Sequence, residues 1–371
     1  MNAYRAPGRI NLIGEHTDYN DGFVLPVAID RYTTATATPR GDRRLRLSSG
    51  GQHNVIDLDL DALGAGPTGR WSDYVRGVAA VLERQGLQLR GADLAITSDV
   101  PSGVGLSSSA ALEIAAGCAL LDLAGHAIDL TQLALAAQQA EHEFAGTRCG
   151  IMDQFIACHG RDGHAMLLDT RTLAATWLPV PPSLAIVVCN TMTKHALASD
   201  GYNQRRADCE AGVRRLAVRL PRIRALRDVT FADLEANQDV LDDRVYRRCR
   251  HVVTENARTL SAADALRDGD LARFGVLMGA SHASLRDDYN VSTPELDAMV
   301  EAAMMSPGTL GARMTGGGFG GCTVNLVHVD SVPAFTREVA RHYDAATGRV
   351  PEIYACRPSR GAHMIGMTTC D

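Results

Sequence analysis

The first sixty residues alternate short apolar runs with polar turns, which predicts that the chain begins with β-structure. Gly, Pro, Asn and Asp separate the runs, as is typical of strands joined by turns. The runs lie at residues 23–29, 32–38, 45–47 and 55–58. The pattern then changes to apolar positions at helical spacing, which predicts a helix over residues 71–85 before a strand over 91–100.

A Gly- and Ser-rich loop separates that strand from a long run of Ala and Leu. The run predicts a helix over residues 106–125. A further helix is predicted over 132–146, with Thr131 as its N-cap. Strand, glycine-rich loop and helix therefore follow one another around residues 100–110.

The second half of the chain mixes polar, Arg-rich helical stretches with strands. Strands are predicted on both sides of a turn at 169–171, over 184–189 and 322–328, and near Tyr354. Helices are predicted over 201–216, 245–267, 271–286, 294–305 and 332–343.

The length of 371 residues predicts two domains, at roughly 100–200 residues each. Pro181-Pro182 is the candidate boundary. We therefore expect an N-terminal domain over 1–182 and a C-terminal domain over 183–371.

Composition predicts a soluble, globular protein, with an enzyme as the default expectation. Hydrophobic residues make up 46% of the chain and charged residues 22%, and the net charge is −6. This balance gives no reason to expect nucleic acid or an anionic membrane as the partner. No apolar stretch is long enough to cross a bilayer, and the first residues lack the apolar core of a secretion signal. Nine scattered cysteines without a C-x-x-C pair fit reduced thiols, so we expect a cytoplasmic protein. A monomer is expected as a separate matter, which the cysteines do not decide.

The loop over residues 101–111 (PSGVGLSSSAA) has the pattern of an anion site. Unpaired N–H groups in the first helical turn would point into it, and its glycines would let a phosphate approach closely. Ser107, Ser108 and Ser109 offer neutral donors and a Mg²⁺ ligand. The alternative is an ordinary helix capped by a serine.

Two other kinds of nucleotide site are excluded. A P-loop needs G-K-[ST], but the single lysine, Lys194, has no such glycines before it. No protein-kinase catalytic loop follows it either.

Residues 316–321 (GGGFGG) formally match a dinucleotide fingerprint, but they lead into a predicted strand instead of a helix. This segment is either a tight turn or a second backbone loop that closes over a ligand.

Charged side chains cluster near the N-terminus around a short apolar stretch. Arg9, Glu15, His16 and Asp18 lie within ten residues, and carboxylates can each accept two hydrogen bonds from neighbouring hydroxyls of a sugar. Each acid considered alone is more typical of a solvent-exposed residue in a turn. The cluster favours recognition of a polyhydroxyl ligand.

Two further acids, Glu141 and Asp153, are candidates for the site. Glu141 lies on the helix that ends near Gly146, and Asp153 follows among apolar side chains. Each is either a capping or surface-paired acid, or a site residue. A buried Asp153 needs a cation beside it, and Arg9 is the candidate if the fold brings them together.

Three separated motifs resemble those of the galactokinases, which belong to the GHMP small-molecule kinase superfamily. They are residues 8–19 (GRINLIGEHTDY), the phosphate loop at 101–111 and the glycine motif at 311–321 (GARMTGGGFGG). Residues 140–154 and 201–206 also resemble galactokinase segments, so the similarity covers essentially the whole chain. It implies an α+β protein of two domains, with an N-terminal domain like domain 2 of ribosomal protein S5, a ferredoxin-like C-terminal domain and an active site between them.

The resemblance also implies a role for individual residues. Asp153 would be the catalytic carboxylate near the 1-hydroxyl of the sugar, with Arg9 stabilising it and the transferring phosphoryl group. Asp18 would bind the 3- and 4-hydroxyls, Glu15 the 6-hydroxyl, and Tyr202 the side of the 4-hydroxyl. The full set of implied sugar contacts is Glu15, His16, Thr17, Asp18, Gly150, Asp153 and Tyr202.

Nucleotide and metal contacts are implied in the same way. Ser109 and Glu141 would ligate Mg²⁺, and Trp71 and Tyr74 would lie near the adenine. The residues that would wrap the triphosphate of ATP are Gly103, Val104, Gly105, Leu106, Ser107, Ser108 and Ser109.

The implied activity is ATP-dependent phosphorylation of α-D-galactose at its 1-hydroxyl. One departure concerns the loop before Tyr202, where galactokinases typically carry Ser-Glu-Tyr-Asn and this chain has Ser199-Asp-Gly-Tyr-Asn203. Alternatives are a kinase for N-acetylgalactosamine or arabinose, and a regulator that binds galactose and ATP without turnover. Such regulators lack part of the Ser-Ser-Ala stretch, which is intact here.

Overall fold

The computed structural model describes residues 2–50, 52–64, 66–194 and 198–366. They cluster into two compact units that are each discontinuous in sequence. The first unit contains the chain up to Arg9, Ala28–Asp162 and the chain from Ser359 onward, and the second contains Ile10–Val27 and Gly163–Pro358. The boundary at residue 182 stays a prediction.

Strands and helices alternate irregularly along the chain, which confirms the α+β class. The strands are β1 Ala3–Asn11, β2 Phe23–Val24, β3 Pro26–Pro39, β4 Arg44–Ser49, β5 Gln52–Asp59, β6 Ala92–Ser98, β7 His164–Asp169, β8 Ala175–Pro179, β9 Leu184–Lys194, β10 Thr309–Thr315, β11 Gly320–His328, β12 Glu352–Cys356 and β13 His363–Ile365. The helices are α1 Ser72–Arg84, α2 Ser108–Ala124, α3 Leu130–Ala140, α4 Met152–His159, α5 Ala198–Leu216, α6 Phe231–Ala236, α7 Asp243–Asp268, α8 Leu271–Ser284, α9 Pro294–Met304 and α10 Val332–Thr347.

The first unit is built on a six-stranded sheet in the order β13-β1-β3-β6-β4-β5. Strand β4 pairs with β6 in parallel, whereas β3 with β6 and β4 with β5 are antiparallel. Helices α1 to α4 belong to the same unit. Most of helix α2 is buried, as its continuous Ala and Leu content predicts.

The second unit contains two antiparallel sheets and helices α5 to α10. One sheet has the order β10-β11-β9-β12 and the other the order β2-β7-β8. One apolar core lies around Val252, Leu285 and Tyr289, and another around Val187, Phe335 and Tyr343.

The predicted N-cap of α3 is wrong. Asp129, not Thr131, precedes the helix, and its carboxylate accepts hydrogen bonds from the backbone N–H groups of Thr131 and Gln132. An N-cap residue needs extended backbone, which Asp129 has at φ −87° and ψ 105°. The last turn before Gly146 is a π-turn over Glu141–Ala145.

Two observations bear on the features from which the cell compartment was predicted, namely membrane-spanning segments and cysteine thiols. In the portion of the chain that the structure describes, no helix combines the length and apolar character needed to cross a bilayer. The eight cysteines in that portion are free thiols, and Cys370 lies outside the described residues.

Candidate active site

The loop between β6 and α2 has the backbone shape of an anion site. Gly103 and Gly105 take the left-handed conformation at φ 70° and 85°, which glycine adopts without steric cost. Ser107 precedes helix α2 but is also left-handed, at φ 55°, and its side chain caps no N–H group of the helix. The ordinary serine cap is therefore wrong for this helix. The first-turn N–H groups stay available to an anion at the positive end of the helix dipole.

The hydroxyl of Ser107 instead donates a hydrogen bond to Oδ2 of Asp153. Arg9 binds the same carboxylate at both oxygens, with Nε 2.7 Å from Oδ1 and Nη2 2.5 Å from Oδ2. Arg9 Nη1 also donates to the carbonyl oxygen of Gly105 at 2.6 Å. The predicted pairing of Arg9 with Asp153 is confirmed, and both are tied to the phosphate loop.

These groups line one cavity of about 820 Å³ in the first unit, a size suited to a small-molecule ligand. Trp71 and Tyr74 line it too, so the structure places them in the same cavity as the phosphate loop. The sequence reasoning missed Thr33, Ile96 and Thr97, which also face this cavity. Val104 and Leu106 bury their side chains, and Leu106 accepts a hydrogen bond from the backbone of Arg9.

Two oxygen donors suited to Mg²⁺ meet in the first unit. Ser109 Oγ lies 3.4 Å from Oε1 of Glu141, which is nine-tenths buried. Burial, together with the charge of Asp153, raises the pKa of Glu141 to about 7. A bound cation would favour the ionised carboxylate, and hydroxyl and carboxylate oxygens are ligands that Mg²⁺ accepts. No group of three or more His, Cys, Asp or Glu side chains that could hold a metal occurs among the described residues. The pair therefore fits a Mg²⁺ that takes its other ligands from phosphate and water.

Gly150 is buried three residues before Asp153, in the segment that leads into α4. The other residues predicted to bind sugar lie in the second unit and are described with it.

Glu15 is the most fully bonded of these residues. Its Oε1 accepts hydrogen bonds from Gly316 N at 2.8 Å, Thr315 Oγ1 at 3.0 Å and Arg313 Nη1 at 3.3 Å. Its Oε2 accepts one from Asn11 at 2.9 Å. Glu15 thus ties the N-terminal signature to the glycine motif within the second unit. Its contact with a sugar hydroxyl stays a prediction.

His16 belongs to an aromatic group with Tyr19, Tyr202 and Tyr289. Its Nδ1 lies 2.7 Å from the hydroxyl of Tyr19, and its ring lies 5.4 Å from that of Tyr202 and 4.6 Å from that of Tyr289. Burial, followed by the charges of His251 and Arg205, holds the pKa of His16 well below its usual value. The imidazole is therefore neutral at physiological pH.

Thr17 and Asp18 differ in what their side chains can offer. Thr17 is fully buried, and its hydroxyl lies 2.8 Å from the carbonyl oxygen of Gly14 and 2.6 Å from that of Phe23. Asp18 is half-buried, and its Oδ1 accepts a hydrogen bond from the backbone of Tyr19. The hydroxyl of Thr17 supports the loop, and the contact of Asp18 with a sugar stays a prediction.

Residues 316–319 of the glycine motif connect the antiparallel strands β10 and β11. Gly316 and Gly318 have φ values of 83° and 78°, and a Cβ on Gly318 would lie 2.5 Å from the carbonyl oxygen of Val291. The interpretation of this segment as a tight turn is therefore confirmed. A dinucleotide fingerprint is excluded, because the segment leads into strand β11 and not into a helix. Whether the turn also covers a ligand stays a prediction.

Comparison with protein families divides the chain in the same order as its motifs. The galactokinase galactose-binding signature matches residues 2–39, the GHMP kinases N terminal domain residues 73–161, and the GHMP kinases C terminal domain residues 262–345. A galactokinase from Roseiflexus sp. is 51% identical over 96% of this chain and 91% of its own length. A galactokinase from Chloroflexus aurantiacus is 50% identical over 97% of this chain and 93% of its own. The chain belongs to the galactokinase family.

Solved structures agree with this assignment. The crystal structure of Lactococcus lactis galactokinase complexed with galactose superposes with a TM-score of 0.95 at 39% identity, covering 98% of this chain and 95% of that one. The mevalonate kinase of Methanococcus jannaschii, at 17% identity and a TM-score of 0.68 over 96% of this chain and 98% of that one, shares the fold. The predicted GHMP kinase architecture is confirmed.

Two buried polar residues were not identified from the sequence. Glu113 lies on α2, one turn after Ser109, and Gln154 lies on α4, directly after Asp153. Both are fully buried, and they are hydrogen-bonded to each other. A single acid within the otherwise apolar stretch 110–121 of α2 was the signal that could have revealed Glu113.

Proposed function

We propose that this chain transfers the γ-phosphoryl group of ATP to the 1-hydroxyl of α-D-galactose, giving α-D-galactose 1-phosphate and ADP. The observation that carries the proposal is the carboxylate of Asp153, held by Arg9 and Ser107 beside the N-terminus of α2. This arrangement combines a proton acceptor, a cation and an anion site in one cavity. Phosphoryl transfer depends mainly on such positioning and charge neutralisation.

Each of these groups has a distinct task in a direct, in-line transfer. The N–H groups at the start of α2 hold phosphate oxygens, and Arg9 offsets the negative charge that spreads over the transferring group. Asp153 orients the sugar hydroxyl and accepts its proton as the new P–O bond forms. Since Arg9 already binds both carboxylate oxygens, orientation and charge contribute alongside proton transfer.

Galactose recognition is assigned to Glu15, His16, Asp18 and Tyr202, with Thr17 and Gly150 as further contacts. A carboxylate such as that of Asp18 can accept hydrogen bonds from two neighbouring hydroxyls, and neutral His16 adds no charge. The galactose in the related Lactococcus lactis structure supports this choice of substrate.

Ser109 and Glu141 would hold Mg²⁺ with the nucleotide. When bound, the cation neutralises charge on the phosphate oxygens. The protein's own contribution is the pair of oxygen donors and the buried surroundings that fix them.

Formation of ADP when ATP, Mg²⁺ and galactose are supplied together tests this function directly. We expect turnover with galactose and much less with glucose, which differs only at carbon 4. Arabinose and N-acetylgalactosamine belong in the same panel, since either as the preferred sugar would replace galactose in the proposal. ADP release with none of the sugars would overturn it in favour of a regulator that binds without turnover.

The hydroxyl of Ser107 should matter through Asp153. Ser107→Ala removes the hydrogen bond to Oδ2, and a hydrogen bond to a charged group contributes about 1.5–3 kcal/mol, so we expect kcat to fall by about 10- to 100-fold. Ser107→Gly is the matched variant, because glycine accepts the left-handed backbone at this position without strain. Equal losses in both would assign the effect to the hydroxyl, whereas wild-type kcat in both would refute the role.

Glu141→Gln should raise the Mg²⁺ concentration needed for half-maximal rate, because an amide replaces a charged ligand. We expect an increase of about tenfold or more, with the KM for galactose changed by less than about twofold. Glu143→Gln is the control, since Glu143 lies on the same turn but pairs with Arg84 and Gln139 at the surface. An unchanged Mg²⁺ titration would remove Glu141 from the metal site.

A further inference from the structure

A buried amide connects Glu141 to a second acid that the proposed mechanism does not use. Gln154 Nε2 donates hydrogen bonds to Oε2 of Glu141 at 2.7 Å and to Oε2 of Glu113 at 3.1 Å. Glu113 and Gln154 are fully buried. The three residues come from separate segments of the first unit, namely α2, the π-turn after α3, and α4.

The two hydrogen bonds fix the orientation of the amide. A side-chain amide has two N–H donors, and both are used here on carboxyl oxygens. An ionised Glu141 carboxylate, the form that a bound cation favours, can only accept hydrogen bonds, so the amide nitrogen and not its oxygen belongs against it. Glu113 Oε1 and Gln154 Oε1 have no hydrogen-bond partner among the described residues, so Nε2 alone holds the three side chains together.

This arrangement gives the two oxygens of Glu141 different partners. Oε2 is bound to Gln154, whereas Oε1 faces the hydroxyl of Ser109. The bond to Gln154 restrains rotation of the carboxylate, and Oε1 is the oxygen that lies toward Ser109, the second predicted metal ligand.

We propose that Gln154 is a positioning residue for the cation, with Glu113 as the anchor that orients its amide. Residues that hold a metal ligand from behind typically change metal affinity by about 10- to 100-fold when they are replaced. Because Gln154 follows Asp153 on α4, the same contact links the position of the metal ligand to the helix that carries the catalytic carboxylate. The inference rests on the proposed function, since it assumes that a cation binds with the nucleotide.

Binding of Mn²⁺ to the protein with ADP, followed by electron paramagnetic resonance, tests this role without sugar or turnover. Gln154→Met keeps the length of the side chain but removes both donors, and we expect the Kd for Mn²⁺ to rise by about tenfold or more. Gln139→Met is the matched control, because Gln139 makes a similar amide-to-carboxylate bond to Glu143 at 2.8 Å, but at the surface. It should leave the Kd unchanged.

Two variants of Glu113 test the anchor separately. Glu113→Gln retains an oxygen that can accept from Gln154, so the Kd should stay within about threefold of wild type, whereas Glu113→Leu removes the acceptor and should weaken Mn²⁺ binding more. If Glu113 were itself a ligand, Glu113→Gln would weaken binding as much as Glu141→Gln does. That result would overturn the proposed anchor.

Thermal unfolding of each variant shows whether it folds. A folded Gln154→Met protein with a wild-type Kd for Mn²⁺ would overturn the inference, even if the wild-type chain phosphorylates galactose. If Gln154→Met does not fold, the comparison of Glu113→Leu with Glu113→Gln decides, and equal Kd values would overturn it. Failure of the proposed function would appear separately, as a wild-type protein that releases no ADP with any sugar.

Discussion

Asp153→Asn should fold and bind ATP but lose nearly all turnover. The amide keeps the shape of the side chain while removing its charge and its basicity, and loss of a general base alone costs about 10²- to 10⁴-fold in rate. The amide also cannot satisfy Arg9 and Ser107 together, because its N–H₂ group would face one of these donors wherever its oxygen points. We therefore expect kcat to fall by at least the upper part of that range.

Asp93→Asn is the matched control for this measurement. Asp93 is also paired with an arginine, Arg40, at 2.9 Å, but its side chain is half exposed and does not line the cavity that Asp153 lines. It should leave kcat and the affinity for ATP unchanged. ATP binding and thermal unfolding of Asp153→Asn show whether a lost rate reflects chemistry. A folded Asp153→Asn protein with wild-type kcat would refute the assignment of Asp153.

Of the two partners of Asp153, the sequence predicted Arg9 but not Ser107. Arg9 and Asp153 are 144 positions apart, and only the need of a buried acid for a cation connected them. That argument named the right partner because chemistry limited the choice. It could not give the second partner, Ser107, since serine before a helix normally caps it and only the left-handed backbone turns its hydroxyl toward Asp153.

Glu15 shows what local sequence leaves out. Its place in a polar cluster predicted recognition of sugar hydroxyls, and the resemblance implied a contact with the 6-hydroxyl; both stay predictions. Three of its four hydrogen-bond donors come from residues 313–316, some 300 positions further along the chain. Glu113 and Gln154 were missed for the same reason, because their contacts depend on how three helical segments pack.

Asp18→Ala should cause the largest loss in the use of galactose among the predicted sugar-binding positions. The substitution deletes a charged acceptor assigned to two hydroxyls, and each such hydrogen bond contributes about 1.5–3 kcal/mol. We therefore expect kcat/KM for galactose to fall by about 10²- to 10⁴-fold. Asp264→Ala is the control, because Asp264 is an exposed acid of the same unit that pairs with Arg267 on the surface of α7. It should leave both kcat and KM unchanged.

The same variant should also weaken the choice between galactose and glucose. The two sugars differ only in the direction of the 4-hydroxyl, so an acceptor that binds this group in galactose is left unpaired by glucose, and removing it harms galactose more. Tyr202→Phe provides the comparison, since it keeps the ring that packs 5.3 Å from Tyr19 and removes one hydroxyl. It should reduce the ratio of the two kcat/KM values by about tenfold if the lost bond contributes about 1.4 kcal/mol. If Asp18→Ala lowers both kcat/KM values equally, Asp18 binds the sugar without reading carbon 4. Discrimination between the two sugars would then be assigned to Tyr202. This residue lies near the start of α5, directly after Asp200-Gly201, where the sequence departs from the usual galactokinase pattern.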